Sequence, residues 1–201
     1  MYPQLFLGNP DASIPDLVAY WAVFYAWIAS EMYFGYRLRP RGEATKHDRR
    51  STWILVSAIW LGVAVGFGLA FAAPSLAFTS GRRPLLYMGI ALMVAGMALR
   101  WYAIRVLGRS FTLTVATRPD QQVVEAGPYR WIRHPSYTGS LLTVLGALVA
   151  LTNPLSFLGL LLPIAGYAYR IRVEERVLVD NLGEPYRSYM RRTKRLVPFL
   201  V

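Results

Sequence analysis

The chain has no cysteine, which excludes thiol nucleophiles, disulfides and cysteine-based zinc sites. Its only histidines, His47 and His134, lie far apart and lack the spacing of a metal-ligand pair, so no metal is expected. Charge is also scarce: 16% of the 201 residues are charged, against about 25% in ordinary soluble proteins. Acidic residues are outnumbered 22 to 11, leaving a net charge of +11. In a soluble protein that excess would suggest nucleic acid. Here the charges fall between and after apolar blocks, so the expected partner is a membrane, with no nucleic acid. Met1 to Ser13 carries no positive charge and does not have the form of a signal peptide. There is no glycine-rich phosphate loop of the usual form, no internal repeat and no low-complexity tract.

What remains is 55% apolar residues and a mean hydropathy of +0.33. The expected fold class is all-α, a polytopic integral membrane protein with about five transmembrane helices. Asp16–Tyr36, Trp53–Ala77 and Pro84–Leu107 each suit the roughly 20 residues a helix needs to cross a bilayer. Gly62, Gly66 and Ala70 recur every four positions in the second span, a spacing that lets helices approach closely. Ser136–Thr152 and Leu155–Tyr169 form a helical hairpin turning at Asn153-Pro154, because one helix from Ser136 to Tyr169 would measure roughly 50 Å and overrun the bilayer. The fifth helix continues past the membrane to Leu182, Gly183 ends it, and Glu184–Lys194 forms a short amphipathic helix before Pro198.

Basic residues fix the expected orientation. Residues 37–50, 105–133 and 170–195 hold six, five and eight of them, whereas Arg82 and Arg83 lie on the opposite side and Arg100 sits within a helix. The positive-inside rule then places the N-terminus outside and the C-terminus in the cytoplasm. Glu31 should face another helix or the interface, most simply paired with an arginine. Arg100 can snorkel to the interface or turn inward towards Glu31 or a bound carboxylate.

One stretch does not read as membrane packing: Gly127-Pro128-Tyr129-Arg130-Trp131-Ile132-Arg133-His134-Pro135-Ser136-Tyr137-Thr138-Gly139. Proline disfavours helix at the residue before it and tolerates the first turn, so His134-Pro135 is a stop followed by a helix start. Unpaired backbone N–H groups in that first turn favour an anion or carboxylate. The connector from Gly108 to His134, too polar to span and β-branched over Thr112–Thr117, folds over this site on the cytoplasmic face. Glu174 and Glu175 point about 100° apart on a helix, so one can hold a ligand amine or hydroxyl while the other holds an arginine such as Arg170 or Arg133. A set without a strong nucleophile suits a polar cofactor that brings its own reactivity.

The Gly-Pro-Tyr and Arg-His-Pro-x-Tyr-x-Gly string at 127–139, then Glu174-Glu175, then Gly183-x-x-Tyr186-x-x-Tyr189, Arg195 and Pro198, resembles the isoprenylcysteine carboxyl methyltransferase family. The wider group includes membrane phospholipid methyltransferases. The resemblance covers roughly residues 84–200 and is similar to the compact prokaryotic-type members, which implies a prokaryotic plasma membrane. It divides the chain into an N-terminal extension with two helices (1–83) and a methyltransferase core (84–201). It also implies S-adenosylmethionine as cofactor, with Tyr129, Arg133, His134, Pro135, Tyr137 and Gly139 enclosing it. Glu174 would then hold its polar part, and Tyr186, Tyr189 and Arg195 would complete a lid or its anchorage. Arg133, Glu174 and Glu175 are the catalytic candidates. The implied substrate is lipidic or amphiphilic, entering between helices, and the implied reaction is carboxyl O-methylation. An amine acceptor, as in a phospholipid N-methyltransferase, would need proton removal by Glu174 or Glu175. A nicotinamide-dependent membrane reductase and a non-catalytic scaffold or small transporter are the other readings.

Overall fold

The computed structural model describes residues 12–37, 45–48, 50–108, 115–117 and 122–197. The expected turn at Gly8-Asn9-Pro10, residues 38–44 of the basic loop, the start of the Thr112–Thr117 stretch and Pro198 lie outside the described residues. The architecture is helical: α1 (Ile14–Arg37), α2 (Arg50–Ala72), α3 (Arg82–Leu107), α4 (Pro135–Val149), α5 (Leu161–Leu182) and α6 (Glu184–Arg192). One departure from an all-helical chain is a short antiparallel pair, β1 (Thr45–Asp48) with β2 (Val115–Thr117), joining two polar loops. Arg50–Ala72, Arg82–Leu107 and the continuous helical stretch Pro154–Leu182 are long and apolar enough to cross a membrane. α4 has 15 residues, about 22 Å of helix and less than the hydrocarbon core.

Local chemistry sets the element ends. The Ser13 N–H donates to Asp16 Oδ2 at 2.9 Å and the Asp16 N–H to Ser13 Oγ at 3.4 Å, a reciprocal cap that starts α1. Asp16 also accepts from Tyr87 Oη at 2.5 Å and pairs with Arg83 at 3.3 Å, which ties the starts of α1 and α3 together. The hairpin between α4 and α5 turns at Asn153 as expected. Its side chain accepts from the Leu155 N–H at 3.0 Å and donates to the Ala73 carbonyl at 2.9 Å, stitching the turn to the end of α2. Gly183, at φ +62°, closes α5 in a conformation that L side chains rarely adopt.

α3 packs most extensively on α4, and the reason is backbone proximity. A Cβ added to Gly89 would sit 2.5 Å from the Gly146 carbonyl oxygen and 2.6 Å from the Ala150 nitrogen. A Cβ on Gly139 would lie 2.6 Å from the Gly96 carbonyl oxygen and 2.7 Å from the Arg100 nitrogen. Gly62 and Gly66 meet Pro163 and the Ser156 carbonyl in the same way, so the small-residue stripe of α2 packs on the start of the fifth helix. Gly89→Ala is therefore expected to lose about 1–3 kcal/mol through overpacking against backbone that cannot yield. Gly68→Ala, with nothing within 4 Å, should be neutral or gain up to about 1 kcal/mol of helix propensity. Thermal unfolding of both variants in one detergent checks the contrast.

The buried core joins Tyr20, Phe24 and Trp27 of α1 to Val63, Leu86, Met93, Val144 and Leu148. Glu31 does pair with an arginine. Arg100 Nε lies 2.7 Å from its Oε1, and Nη2 donates to Oε2 at 2.8 Å. Arg100 Nη1 also donates to Ser136 Oγ at 2.9 Å, so this buried cation fixes the first turn of α4 against α1 and α3.

Candidate active site

The His134-Pro135 step starts α4 as its sequence requires: Pro135 is the first helical residue and His134, at φ −123°, is outside the helix. Before it, Gly127–Arg130 makes a single tight turn whose Tyr129 is buried. The segment after α6 then returns alongside this corner. The Arg133 N–H donates to the Lys194 carbonyl at 2.7 Å, the His134 N–H to the Arg195 carbonyl at 3.0 Å, and the Lys194 N–H to the Trp131 carbonyl at 3.1 Å. Thr138 Oγ1 donates to the Leu196 carbonyl at 2.7 Å. The Arg-His-Pro corner is thus one side of a short parallel ladder, and the C-terminal segment is the other.

Glu175 is the electrostatic centre of this clasp. Its Oε1 accepts from Arg133 Nε at 2.8 Å and faces His134 Nε2 at 3.3 Å, while its Oε2 accepts from Arg195 Nε at 3.1 Å. Arg133 Nη1 donates further to the carbonyls of Met190, at 3.1 Å, and Thr193. The Arg133 and Glu175 side chains are 7% and 6% exposed, so this ion pair is buried. Both oxygens of Glu175 are engaged.

Glu174, one position earlier, turns to a different neighbourhood. It is half-buried and accepts a hydrogen bond from the Tyr137 hydroxyl, which in turn accepts from Arg170 Nε at 3.3 Å. The Tyr137 ring stacks parallel to the His134 imidazole, with centroids 5.2 Å apart, and packs against Tyr167 at 4.9 Å. Of the two arginines expected as partners for a carboxylate, Arg133 pairs with Glu175, and Arg170 donates to Tyr137.

The tyrosines of α6 close the outer side. Tyr186 and Tyr189 are buried with ring centroids 5.8 Å apart, and Tyr189 Oη donates to the Tyr129 carbonyl at 2.6 Å. Burial raises the phenol pKa of Tyr129, Tyr186 and Tyr189, and the Glu174 charge adds to this for Tyr129 and Tyr186. All three stay neutral and serve as hydrogen-bonding and packing groups. Arg195, at 46% exposure, reaches over Glu175 from the rim.

Among the sequence-predicted residues, Tyr129, Arg133, His134, Pro135, Tyr137, Glu174, Glu175, Tyr186, Tyr189 and Arg195 come together at this corner. Gly139 stands apart, because its missing side chain faces Gly96 and Arg100 at the α3–α4 crossing. The ladder to residues 193–196 and the hydroxyls that hold Arg170 were not anticipated. Among the described residues there is no group of three side chains suited to a metal. The arrangement offers one half-buried carboxylate with a hydroxyl partner, aromatic faces, and a rigid charged frame behind them.

The model of the isoprenylcysteine carboxyl methyltransferase (ICMT) family matches residues 89–180, which hold the Arg-His-Pro corner, Tyr137 and both carboxylates. Protein-S-isoprenylcysteine O-methyltransferase B of Arabidopsis thaliana is 36% identical over 115 residues, covering 56% of this chain and 58% of that protein. The protein-S-isoprenylcysteine O-methyltransferase of Saccharomyces cerevisiae is 33% identical over 116 residues, covering 56% of this chain and 48% of its own. The chain therefore matches about half the length of these curated relatives. A solved structure of the eukaryotic intramembrane Ras methyltransferase ICMT superposes with a TM-score of 0.65 at 24% identity, covering 94% of this chain and 69% of the other. Nearly the whole chain thus has the fold of that intramembrane methyltransferase, and its residues 89–180 are similar in sequence to the ICMT family.

Proposed function

We propose that this chain is an S-adenosylmethionine-dependent membrane methyltransferase that esterifies the carboxylate of an amphiphilic, isoprenylcysteine-like acceptor at the cytoplasmic interface. The observation that carries the reading is the different engagement of two adjacent carboxylates within the ICMT-like stretch: Glu175 is locked into the clasp, and Glu174 has, among the described residues, one hydroxyl partner. The donor set fits the cofactor. Glu174 would hold its ammonium or hydroxyl groups, and the stacked His134–Tyr137 rings supply aromatic surface for an adenine. Bound there, S-adenosylmethionine supplies an electrophilic methyl group on a sulfonium.

The protein's own contribution is alignment and exclusion of water. A carboxylate acceptor is already ionised near neutral pH, so no side chain needs to remove a proton from it. Arg133 and Glu175 act as the frame that holds α6 and residues 193–196 over the site, and Tyr186 and Tyr189 keep water from its outer side. Basic-residue asymmetry supports a cytoplasmic position for this corner, with the N-terminus outside. A tail that stays in the bilayer while its head reaches the site buries apolar area worth about 25 cal/mol per Å².

The test is transfer of labelled methyl to S-isoprenylcysteine acceptors of decreasing tail length, in one detergent with free acceptor concentration controlled. The expected result is a base-labile, ester-linked label with kcat/KM falling steeply as the tail shortens. Base-stable label on an amine lipid would indicate N-methylation instead. Equal kcat/KM for a long-chain acceptor and its tailless analogue would overturn the lipidic-acceptor reading.

A further inference from the structure

Arg170 is buried in α5 at 2% exposure, and two of its hydrogen-bond acceptors come from the other end of the sequence. Its Nη1 donates to Ser51 Oγ at 2.6 Å and to Thr52 Oγ1 at 3.0 Å, while its Nε donates to Tyr137 Oη. Ser51 and Thr52 lie in the first turn of α2, well before the stretch that matches the family model. Ser51 is fully buried. A second feature holds the same place. β1 ends at Asp48, just ahead of α2, and pairs with β2 of the connector through Thr45–Thr117, Lys46–Ala116 and Asp48–Val115. Strand pairing and hydroxyl contacts together pin the start of α2 against the cytoplasmic end of α5.

We propose that Ser51 and Thr52 are positioning residues for the cofactor site, acting through Arg170 and Tyr137 on Glu174. This rests on the reading that Glu174 holds the cofactor. A buried guanidinium keeps one orientation only while its N–H groups have acceptors. With Ser51 and Thr52 in place, Arg170 points its Nε at Tyr137, whose hydroxyl then accepts from Arg170 and donates to Glu174. Such a chain polarises along its length and fixes the carboxylate. Removing a hydroxyl takes from the guanidinium an acceptor that helps aim its Nε at Tyr137, and the hold of Tyr137 on Glu174 loosens with it. The chain's first 83 residues thereby complete the site instead of merely anchoring it.

The experiment compares the wild type with Ser51→Ala, Thr52→Val and Thr52→Ser in nanodiscs, measuring S-adenosylmethionine affinity, kcat and both KM values. Thr52→Val removes the hydroxyl at nearly constant volume, and Thr52→Ser keeps it. Ser51→Ala and Thr52→Val are expected to raise the Kd and KM for S-adenosylmethionine about tenfold, the effect of losing a hydrogen bond to a charged group. The KM for the acceptor should stay unchanged, and Thr52→Ser should behave as wild type. If Ser51→Ala does not fold, the two Thr52 variants carry the test. Unchanged cofactor affinity in the hydroxyl-less variants, or equal impairment in Thr52→Val and Thr52→Ser, overturns the proposal. A wild-type protein that does not bind S-adenosylmethionine overturns the methyltransferase reading first, and this one with it.

Discussion

Replacing Glu174 by glutamine is expected to raise the Kd for S-adenosylmethionine about ten- to a hundredfold. A hydrogen bond to a charged group contributes about 1.5–3 kcal/mol, and each 1.4 kcal/mol is about tenfold in affinity. The fold should survive. Glu174 is half-buried, and its one hydrogen bond among the described residues comes from Tyr137, which an amide oxygen accepts equally well. Calorimetric titration paired with thermal unfolding checks both statements, the second requiring a Tm within about 2 °C of wild type. A Glu174→Gln protein that binds the cofactor normally would remove Glu174 from the site. One that loses Tm together with affinity would assign it to the frame.

Glu175→Ala should do the reverse, with a larger effect on stability. Removing one partner of a buried ion pair leaves the other charge uncompensated and costs about 3–5 kcal/mol. Here the stranded group is Arg133, 7% exposed and hydrogen-bonded to the carbonyls that anchor the C-terminal segment. For a chain of this size the loss corresponds to a fall in Tm of roughly 10 °C. Arg195→Gln breaks the exposed arm of the same clasp, where Arg195 is 46% exposed. Solvent screening limits that contact to under about 1 kcal/mol. The ordering is the test: Glu175→Ala well below Arg195→Gln, and Arg195→Gln close to wild type. Comparable Tm losses for the two would mean that the clasp is not organised around the buried pair.

The features legible in the sequence were those that act through a single residue's backbone chemistry. His134-Pro135 marks a helix start, Gly183 a helix end, and Asn153-Pro154 a hairpin turn, because proline, glycine and asparagine restrict the chain locally. Glu31 was legible as one half of an ion pair, since an unpaired carboxylate within apolar helices is costly. Helix geometry separates the directions of the two adjacent carboxylates, and only the fold shows that Glu175 is the one that meets Arg133. What was not legible are contacts without a side-chain signature. The ladder between residues 131–134 and 194–195 is made by backbone groups, and no residue pattern announces it. Gly139 reads as part of the cofactor motif, and Gly89, Gly96 and Gly146 carry no signal of their own, until the α3–α4 crossing sets all four against one another. Ser51 and Thr52 fall between the basic loop and the expected span Trp53–Ala77, where no motif marks them. Their part depends on a buried arginine that lies more than a hundred residues further along the chain.

The Arg-His-Pro corner, with Glu174 and Tyr137 beside it, is the proposed binding place of the methyl donor. A structure solved with S-adenosylhomocysteine tests it most directly. The expected ligand density is bordered by Tyr137 and Glu174 under α6 and residues 193–196, with Glu174 within hydrogen-bonding distance of the ligand and Glu175 still bound to Arg133. Ligand density elsewhere in the protein, with the Tyr137–Glu174 contact undisturbed, would contradict it.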